Sequence, residues 1–193
     1  TNRGLSKFDP ATNFVKNYDI YYGLKVYEFN KGSCYSAPNG KLFFGGPAGF
    51  NVFHPDSIHK NNAIPKLSFT SVEIINKNAT AEKIYHVPET LTVQHRDYLF
   101  TIEFAALEFS NPDRNHYAHM LEGFDDDWIN TGTKNWATYS QIPPGTYEFH
   151  VKGSNSDLVW NNTGISMTIV KEPSLFNNYW SYLIYAITGI SII

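Results

Sequence analysis

From about residue 65 onward, hydrophobic and polar residues alternate along the chain in short runs. In the clearest run, Phe100, Ile102 and Phe104 face one way while Thr101 and Glu103 face the other. Alternation with period two is typical of a β-strand that buries one face. The run that begins at Leu67 breaks this alternation once, near residue 70. The same pattern recurs in five further runs: Leu67–Ile75, Leu91–Val93, Tyr117–Leu121, Tyr147–Val151 and Ile165–Ile169.

These runs predict an all-β domain. About seven strands in about 105 residues fit an antiparallel β-sandwich of the immunoglobulin or fibronectin III type. Pro143, Pro144 and Gly145 stand just before the Tyr147 run, where a turn that starts a strand is expected. No helical pattern of useful length competes with this interpretation before the C-terminal residues.

Residues 1–58 follow a different pattern. The motif Gly-apolar-x-x-Phe-x-Pro occurs at residues 4–10 and again at residues 49–55, an offset of about 45 residues that suits one β-propeller blade. Because a propeller needs about four to eight blades, this region predicts the end of a propeller whose other blades lie upstream. The polar, turn-rich residues that follow predict a linker at 59–64, and the sandwich is then expected at 65–172.

The C-terminal residues 173–193 carry no charge after Glu172. Tyr179, Trp180 and Tyr182 precede an aliphatic run, as an aromatic belt at a membrane surface would. The run is shorter than the about 20 residues that a bilayer core requires. We therefore expect a juxtamembrane segment and a truncated transmembrane helix, with an ordinary buried C-terminal helix or strand as the alternative.

The amino-acid composition excludes several classes of protein. The net charge of −3 excludes the strongly basic footprint of a nucleic-acid-binding protein. Aromatic residues make up 16% of the chain and charged residues 17%, which fits neither a disordered chain nor a coiled coil. Cys34 is the single cysteine, so an internal disulfide framework and multi-cysteine metal sites are excluded.

Candidate metal ligands are few. Glu122 and residues 125–127 form the densest carboxylate cluster, but they lack the alternating ladder of a calcium loop, and a solvated hairpin explains them. His116 and His119 would point to opposite faces of a strand, so His119 is expected at the core or at a sheet edge. We predict no metal site.

No catalytic constellation is apparent. The chain has no nucleophile elbow and no phosphate-binding glycine loop, and a glycosidase-like pair among Glu103, Glu108 and Glu122 cannot be established without distances. We predict no catalytic residue and no cofactor, so this fragment is not an enzyme. The aromatic residues are open to two interpretations, a platform for stacking sugars or packing between sheets. Tyr147 alternates with Phe149 and Val151, which favours packing there.

A series of motifs carries a family resemblance. They are Tyr117, Leu121-Glu122-Gly123-Phe124-Asp125, Trp128, Tyr139, Pro144-Gly145, Tyr147 and Trp160. This series resembles the three-tyrosine (Y_Y_Y) domain of bacterial sensor proteins, and Tyr117, Tyr139 and Tyr147 match the tyrosines that name the family. Residues 1–10 and 45–56 resemble the regulator-propeller repeat of the same proteins. The motif residues are expected to be structural.

The resemblance implies an order of propeller, sandwich, one transmembrane helix and a cytoplasmic output. That output is a histidine kinase of the hybrid two-component type, acting in a phosphorelay, or alternatively a diguanylate cyclase. The fragment would then lie on the periplasmic side of a bacterial inner membrane and form a homodimer through the sandwich. A sugar or another small nutrient would bind the upstream propeller. An alternative of another class is a carbohydrate-binding β-sandwich of a surface enzyme.

Overall fold

The computed structural model describes residues 4–26 and 28–174 of the chain. The chain divides into two compact units, residues 1–60 and 61–193. The predicted transmembrane helix begins at Tyr179 and therefore lies outside the described residues. Within the described ranges, no helix is long and apolar enough to span a bilayer.

The first unit contains a hairpin and a three-stranded antiparallel meander. Its strands are β1 (Leu5–Asp9), β2 (Phe14–Tyr18), β3 (Cys34–Ser36), β4 (Leu42–Gly46) and β5 (Gly49–Phe53). Both copies of the sequence repeat coincide with a five-residue strand, β1 and β5. Gly4 and Gly49, which open the two copies, have φ of +100° and +123°, a conformation that favours glycine. The repeat is therefore also a repeat of backbone conformation.

The second unit is an all-β sandwich. Its strands are β6 (Leu67–Asn76), β7 (Ala81–Ile84), β8 (Thr90–Val93), β9 (Asp97–Ala106), β10 (His116–Glu122), β11 (Ile129–Gly132), β12 (Trp136–Ser140), β13 (Gly145–Ser154) and β14 (Trp160–Lys171). One sheet has the order β11-β10-β13-β14-β8 and the other β12-β9-β6-β7. The sandwich expected from the alternation is present.

Two details of the sandwich differ from the sequence-based expectation. Strands β8 and β14 pair in parallel, so the sandwich is not purely antiparallel. Strands β7, β11 and β12, of four or five residues each, were not among the alternating runs.

The core lies between the two sheets, and the alternating runs supply most of it. Its buried members are Val72, Leu91, Val93, Phe100, Ile102, Phe104, Ala106, Tyr117, Leu121, Ala137, Tyr139, Ile142, Tyr147, Phe149, Val151, Met167 and Ile169. The slip in the first run is a β-bulge: Phe69 pairs with Phe104 and Ser71 with Glu103, so Thr70 is the extra residue. The bulge returns Val72 to the core face.

Phe149 lies at the centre of this core. Its side chain is fully buried, and its ring contacts those of Phe69, Phe104, His119 and Tyr139 at centroid distances of 5.7–6.3 Å. Because it is surrounded by residues of both sheets, the space it fills cannot close by a small local shift.

We expect Phe149→Ala to lower the free energy of unfolding by about 3–5 kcal/mol, since it leaves a cavity lined by rigid rings. Phe109→Ala is the matched control, because Phe109 is 80% exposed, and it should change stability by less than about 0.5 kcal/mol. Urea unfolding of both variants measures the difference. Equal effects would contradict the assigned core.

Candidate functional site

The turn that ends β10 is built by residues 121–125. The backbone N–H groups of Phe124 and Asp125 donate to the carbonyl of Leu121, at 3.0 and 2.8 Å. The carboxylate of Asp125 in return accepts the N–H of Leu121 at 2.7 Å. Gly123 has a φ of +91°, and a Cβ there would lie 3.3 Å from the ring of Tyr147. The turn therefore needs glycine at this position and aims the Asp125 carboxylate into the sandwich.

Asp125 receives a buried tyrosine from the opposite sheet. The hydroxyl of Tyr139, on β12, donates to Asp125 Oδ2 at 2.6 Å, and its oxygen lies 2.9 Å from Nδ1 of His119 on β10. Since the hydroxyl has one proton and gives it to Asp125, the His119 ring must donate from Nδ1. The three side chains form one hydrogen-bonded chain between the two sheets.

Burial determines the protonation of this chain. Burial lowers the pKa of His119 below its ordinary value, although the Asp125 charge opposes the shift. Burial and the hydrogen bond to Asp125 raise the pKa of Tyr139. Near neutral pH the network therefore contains a neutral imidazole and a protonated hydroxyl. A carboxylate that accepts from a hydroxyl is among the stronger hydrogen bonds in proteins.

Tyr117 makes a second link between the sheets. It lies on β10, and its hydroxyl accepts the backbone N–H of Ala106, at the end of β9, at 3.1 Å. Its ring packs against Phe104 with centroids 5.4 Å apart. The side-chain amide of Asn115, also buried, donates to the Ala106 carbonyl at 3.4 Å. The two polar groups of Ala106 are thus both satisfied from the loop and strand of the other sheet.

Tyr147 closes the cluster at the corner between β12 and β13. Its hydroxyl donates to the carbonyl of Pro143, four residues upstream, at 2.9 Å, the arrangement known as a tyrosine corner in β-sandwiches. The ring lies against Gly145, where a Cβ would come within 3.4 Å of it. Phe124 meets the rings of Tyr139 and Tyr147 edge to face, at 6.0 and 6.5 Å. Phe124, Tyr139 and Tyr147 therefore pack together in one cluster, which we call the tyrosine cluster.

The segment that leads into the sandwich is held by the loop between β13 and β14. Asn155, which is fully buried, donates to the carbonyls of Asn61 and Ala63, both at 2.8 Å, and Asp157 accepts the N–H of Asn61 at 2.6 Å. Asn161 donates to the carbonyl of Pro65 at 2.9 Å. We call Asn155, Asp157 and Asn161 the incoming clamp.

The outgoing end of β14 is held in a similar way. Lys171 is 8% exposed, and its Nζ donates to the carbonyls of Gln94 and Asp97 at 2.7 and 2.8 Å. Burial lowers the pKa of Lys171. The N–H of Glu172 donates to the carbonyl of Val93 at 2.9 Å. These contacts fix the point where the chain leaves the sandwich.

The remaining candidate residues from the sequence analysis lie in different surroundings. In the carboxylate cluster, Asp125 turns inward while Asp126 and Asp127 stay exposed. His119 is buried, whereas His116 Nδ1 donates to the carbonyl of Arg114, so the two histidines do not meet. Glu103 is held by Ser71 and Lys83.

The other motif residues have individual surroundings. Trp128 carries the Lys152 ammonium over its ring at 3.9 Å. Trp160 pairs with Ser154 between β14 and β13. Pro144 stands between the carbonyl that Tyr147 binds and Gly145. Leu121 is fully buried in the core, and Glu122 is exposed at the end of β10.

The incoming clamp and Lys171 were missed by the sequence reasoning. The run Asn155-Ser156-Asp157 is a turn signal, and it indicates a loop without showing which segment that loop binds. The partners of the clamp lie more than 90 positions away, and those of Lys171 lie 77 and 74 positions away. No local pattern contains that information.

Comparison with known proteins identifies the class. Residues 108–172 match the Y_Y_Y domain family, so the resemblance of the motifs to this domain is confirmed for this part of the chain. The match covers the loop after β9 and strands β10–β14, which carry all three tyrosines. Strands β6–β9 of the sandwich lie outside it.

Longer similarities extend over nearly the whole chain. The chain is 28% identical to the extracellular domain of a putative hybrid two component system from B. thetaiotaomicron, with a TM-score of 0.73, covering 90% of this chain and 24% of that one. A second extracellular domain of such a system from the same organism, 18% identical with a TM-score of 0.50 over 96% of this chain and 24% of that one, shares the fold.

Among curated proteins, histidine kinase P4 of Formosa agariphila is 31% identical over 194 residues, which is 97% of this chain and 14% of the kinase. The chain thus spans a small part of the length of its relatives. It resembles the extracellular domains of two-component systems and not a catalytic domain.

Removing the Tyr139 hydroxyl should be more costly than removing that of Tyr147. Tyr139→Phe takes a hydrogen bond from the Asp125 carboxylate, and we expect a loss of about 1.5–3 kcal/mol. Tyr147→Phe takes one from a neutral carbonyl and should cost about 0.5–1.5 kcal/mol. Tyr85→Phe, at a tyrosine that is 75% exposed, is the control. Urea unfolding gives the three values, and the reverse order would contradict the assigned network.

His119 should make stability depend on pH. Because its folded pKa lies below the unfolded value of about 6.5, the unfolded state binds more protons in acid, and the free energy of unfolding falls as pH drops below about 6.5. His119→Asn, which keeps a donor near Nδ1, should make this decline shallower. His86→Asn, at an exposed histidine, should leave it unchanged. Urea unfolding between pH 8 and 5 tests this, and parallel curves for His119→Asn and the parent would refute it.

Proposed function

We propose that this chain is the membrane-proximal, periplasmic sensor and relay part of a bacterial transmembrane signalling protein. The observation that carries the proposal is the double anchoring of the sandwich: the incoming segment is bound by the incoming clamp, and the outgoing end is bound through Lys171. The similarity to extracellular domains of hybrid two-component systems supports the same role.

A single strand connects the two anchors. Strand β14 begins at Trp160, next to the incoming clamp, and ends at Lys171. Its 12 residues are joined by steps of about 3.4 Å each, so the strand spans roughly 37 Å from end to end. It pairs with β13 along most of its length, with an irregularity between Asn161 and Ile165, and with β8 at residues 168–171. A displacement of residues 61–65 would reach Glu172 along this strand.

In this proposal residues 1–58 are the end of a regulator propeller, followed by a linker at 59–64. The two repeat glycines with the same backbone conformation support the assignment of a blade. The ligand, a sugar or another small nutrient, would bind in the upstream propeller. Its effect depends on binding the two signalling arrangements with different affinity.

The remaining assignments complete the same proposal. Residues after 172 would continue into a helix in the inner membrane, and two copies would pair through the sandwich. The output would be a cytoplasmic histidine kinase in a phosphorelay, for which the similarity to histidine kinase P4 is the support. A diguanylate cyclase is the alternative output.

A carbohydrate-binding role in a surface enzyme has less support. A sugar platform needs aromatic faces that are open to solvent. Lys152 Nζ lies 3.9 Å from the ring centroid of Trp128, and Lys134 Nζ lies 4.9 Å from that of Trp136. Each lysine occupies one face of the tryptophan that a sugar would need.

The relay is tested in the full-length protein in liposomes, with a panel of soluble oligosaccharides as the probe and histidine phosphorylation from ATP as the readout. A short Gly-Ser insertion after Lys60 should uncouple the propeller while leaving the incoming clamp intact. We expect the ligand-dependent change in phosphorylation to fall at least about tenfold, a coupling loss typical of allosteric proteins.

The matched control is the same insertion in the exposed turn between Asn78 and Ala79, which should leave the response unchanged. A response that survives the insertion after Lys60 would contradict a relay through this segment. Synthesis of cyclic di-GMP from GTP, without phosphorylation, would replace the kinase by the cyclase output. An absence of both activities would refute a signalling output of either kind.

A further inference from the structure

The outer face of the larger sheet brings together two carboxylates and an imidazole. Strands β10 and β13 pair antiparallel, and Glu122 stands directly opposite Glu148. His150 follows two positions along β13, so its side chain leaves the same face. The Nε2 atom of His150 lies 2.9 Å from Glu122 Oε2 and 3.9 Å from Glu148 Oε2.

The strand pairing places the carboxylates of Glu122 and Glu148 next to each other, and their mutual repulsion is unfavourable. Like charges directly opposite each other on paired strands are destabilising, and the register holds Glu122 and Glu148 in that relation. A positive charge between them offsets the repulsion. A metal ion bound by the imidazole together with the carboxylates would bring such a charge.

The geometry suits a tetrahedral metal ion. One ligand atom from each of the three residues lies within 4.8 Å of the other two. Zinc binds imidazole nitrogen and carboxylate oxygen at about 2.0–2.2 Å, which places tetrahedral ligands about 3.3–3.6 Å apart. The observed separations of 2.9 and 3.9 Å bracket that value. Binding of an ion at a common centre would require side-chain rotations that replace the hydrogen bond between His150 and Glu122.

The ligand types favour zinc over calcium or magnesium. Hard cations prefer six or more oxygen ligands, whereas imidazole nitrogen suits zinc and its neighbours in the first transition series. Three protein ligands leave a fourth position for water, as in many open zinc sites. Each strand supplies a ligand, so the ion would cross-link β10 to β13.

The neighbouring side chains leave the site accessible. Glu122 and Glu148 are half or more exposed, while His150 is 25% exposed and packs beside the Trp128 ring at a centroid distance of 6.4 Å. Lys152, the next outward residue of β13, lies over Trp128. The Lys152 ammonium is therefore held over the Trp128 ring. The contact between His150 and Trp128 limits the motion of the imidazole.

We propose that Glu122, Glu148 and His150 form a binding site for zinc, or for a similar transition-metal ion, on the outer face of the sandwich. The site is separate from the tyrosine cluster, since it lies on the opposite face of the same strands. It does not depend on the relay proposed above.

The test is isothermal titration of the purified chain with Zn²⁺, Ca²⁺ and Mg²⁺, in a buffer that does not bind metal. We expect one Zn²⁺ per chain and no detectable heat from Ca²⁺ or Mg²⁺. His150→Gln and Glu122→Gln should each weaken zinc binding by at least about tenfold, the lower end of what outer-shell substitutions cost in known sites. Visible absorption of bound Co²⁺ should report tetrahedral coordination in the parent.

His86→Gln and Glu82→Gln are the matched controls, since both residues are exposed and stand outside the cluster; they should bind zinc as the parent does. Circular dichroism confirms that each variant is folded. The proposal is overturned if the folded parent binds no zinc at millimolar concentration, or if His150→Gln binds it with unchanged affinity. Equal weakening by the control variants would also overturn it.

Discussion

The sandwich depends on two hydrogen bonds that buried tyrosines make from one sheet to the other. Tyr139 reaches the Asp125 carboxylate, and Tyr117 receives the N–H of Ala106. Apolar packing alone resists separation of the sheets but allows them to slide, because dispersion contacts have little directional preference. A hydroxyl that must meet one specific acceptor in a dry interior fixes the sliding position, since an unmet polar group there is costly. The tyrosines therefore define the relative position of the sheets.

The fixed position of the two sheets also matters for the two anchors of the chain, the incoming clamp and Lys171. In the incoming clamp, Asn155 and Asp157 lie in the loop between β13 and β14 and Asn161 lies in β14. Lys171 ties the end of β14 to the carbonyls of Gln94 and Asp97. If the sheets could slide, a displacement at Asn61 would be absorbed by the core before it reached Glu172. The cross-sheet hydrogen bonds hold the two sheets in one position, which favours transmission of a displacement in the proposed relay.

Strand β13 shows how one strand serves two faces. Its inward residues Tyr147, Phe149 and Val151 build the core, and its outward residues Glu148 and His150 form the candidate metal site with Glu122. The register that aligns the core side chains also sets the outer ones opposite each other. A core substitution that shifted this register would therefore disturb both faces together.

The sequence by itself determined the class of fold, most of the inward-facing positions and the three tyrosines, because period-two alternation and turn residues are local signals. It also placed the slip in β6 that the structure explains as a bulge. Only the tertiary structure decided which distant residues meet: the parallel pairing of β8 with β14, the binding of residues 61–65 by the incoming clamp, and the meeting of Glu122 with His150. Each joins residues 28 to 96 positions apart, and such contacts follow from strand pairing across a whole sheet, which no local pattern of side chains encodes.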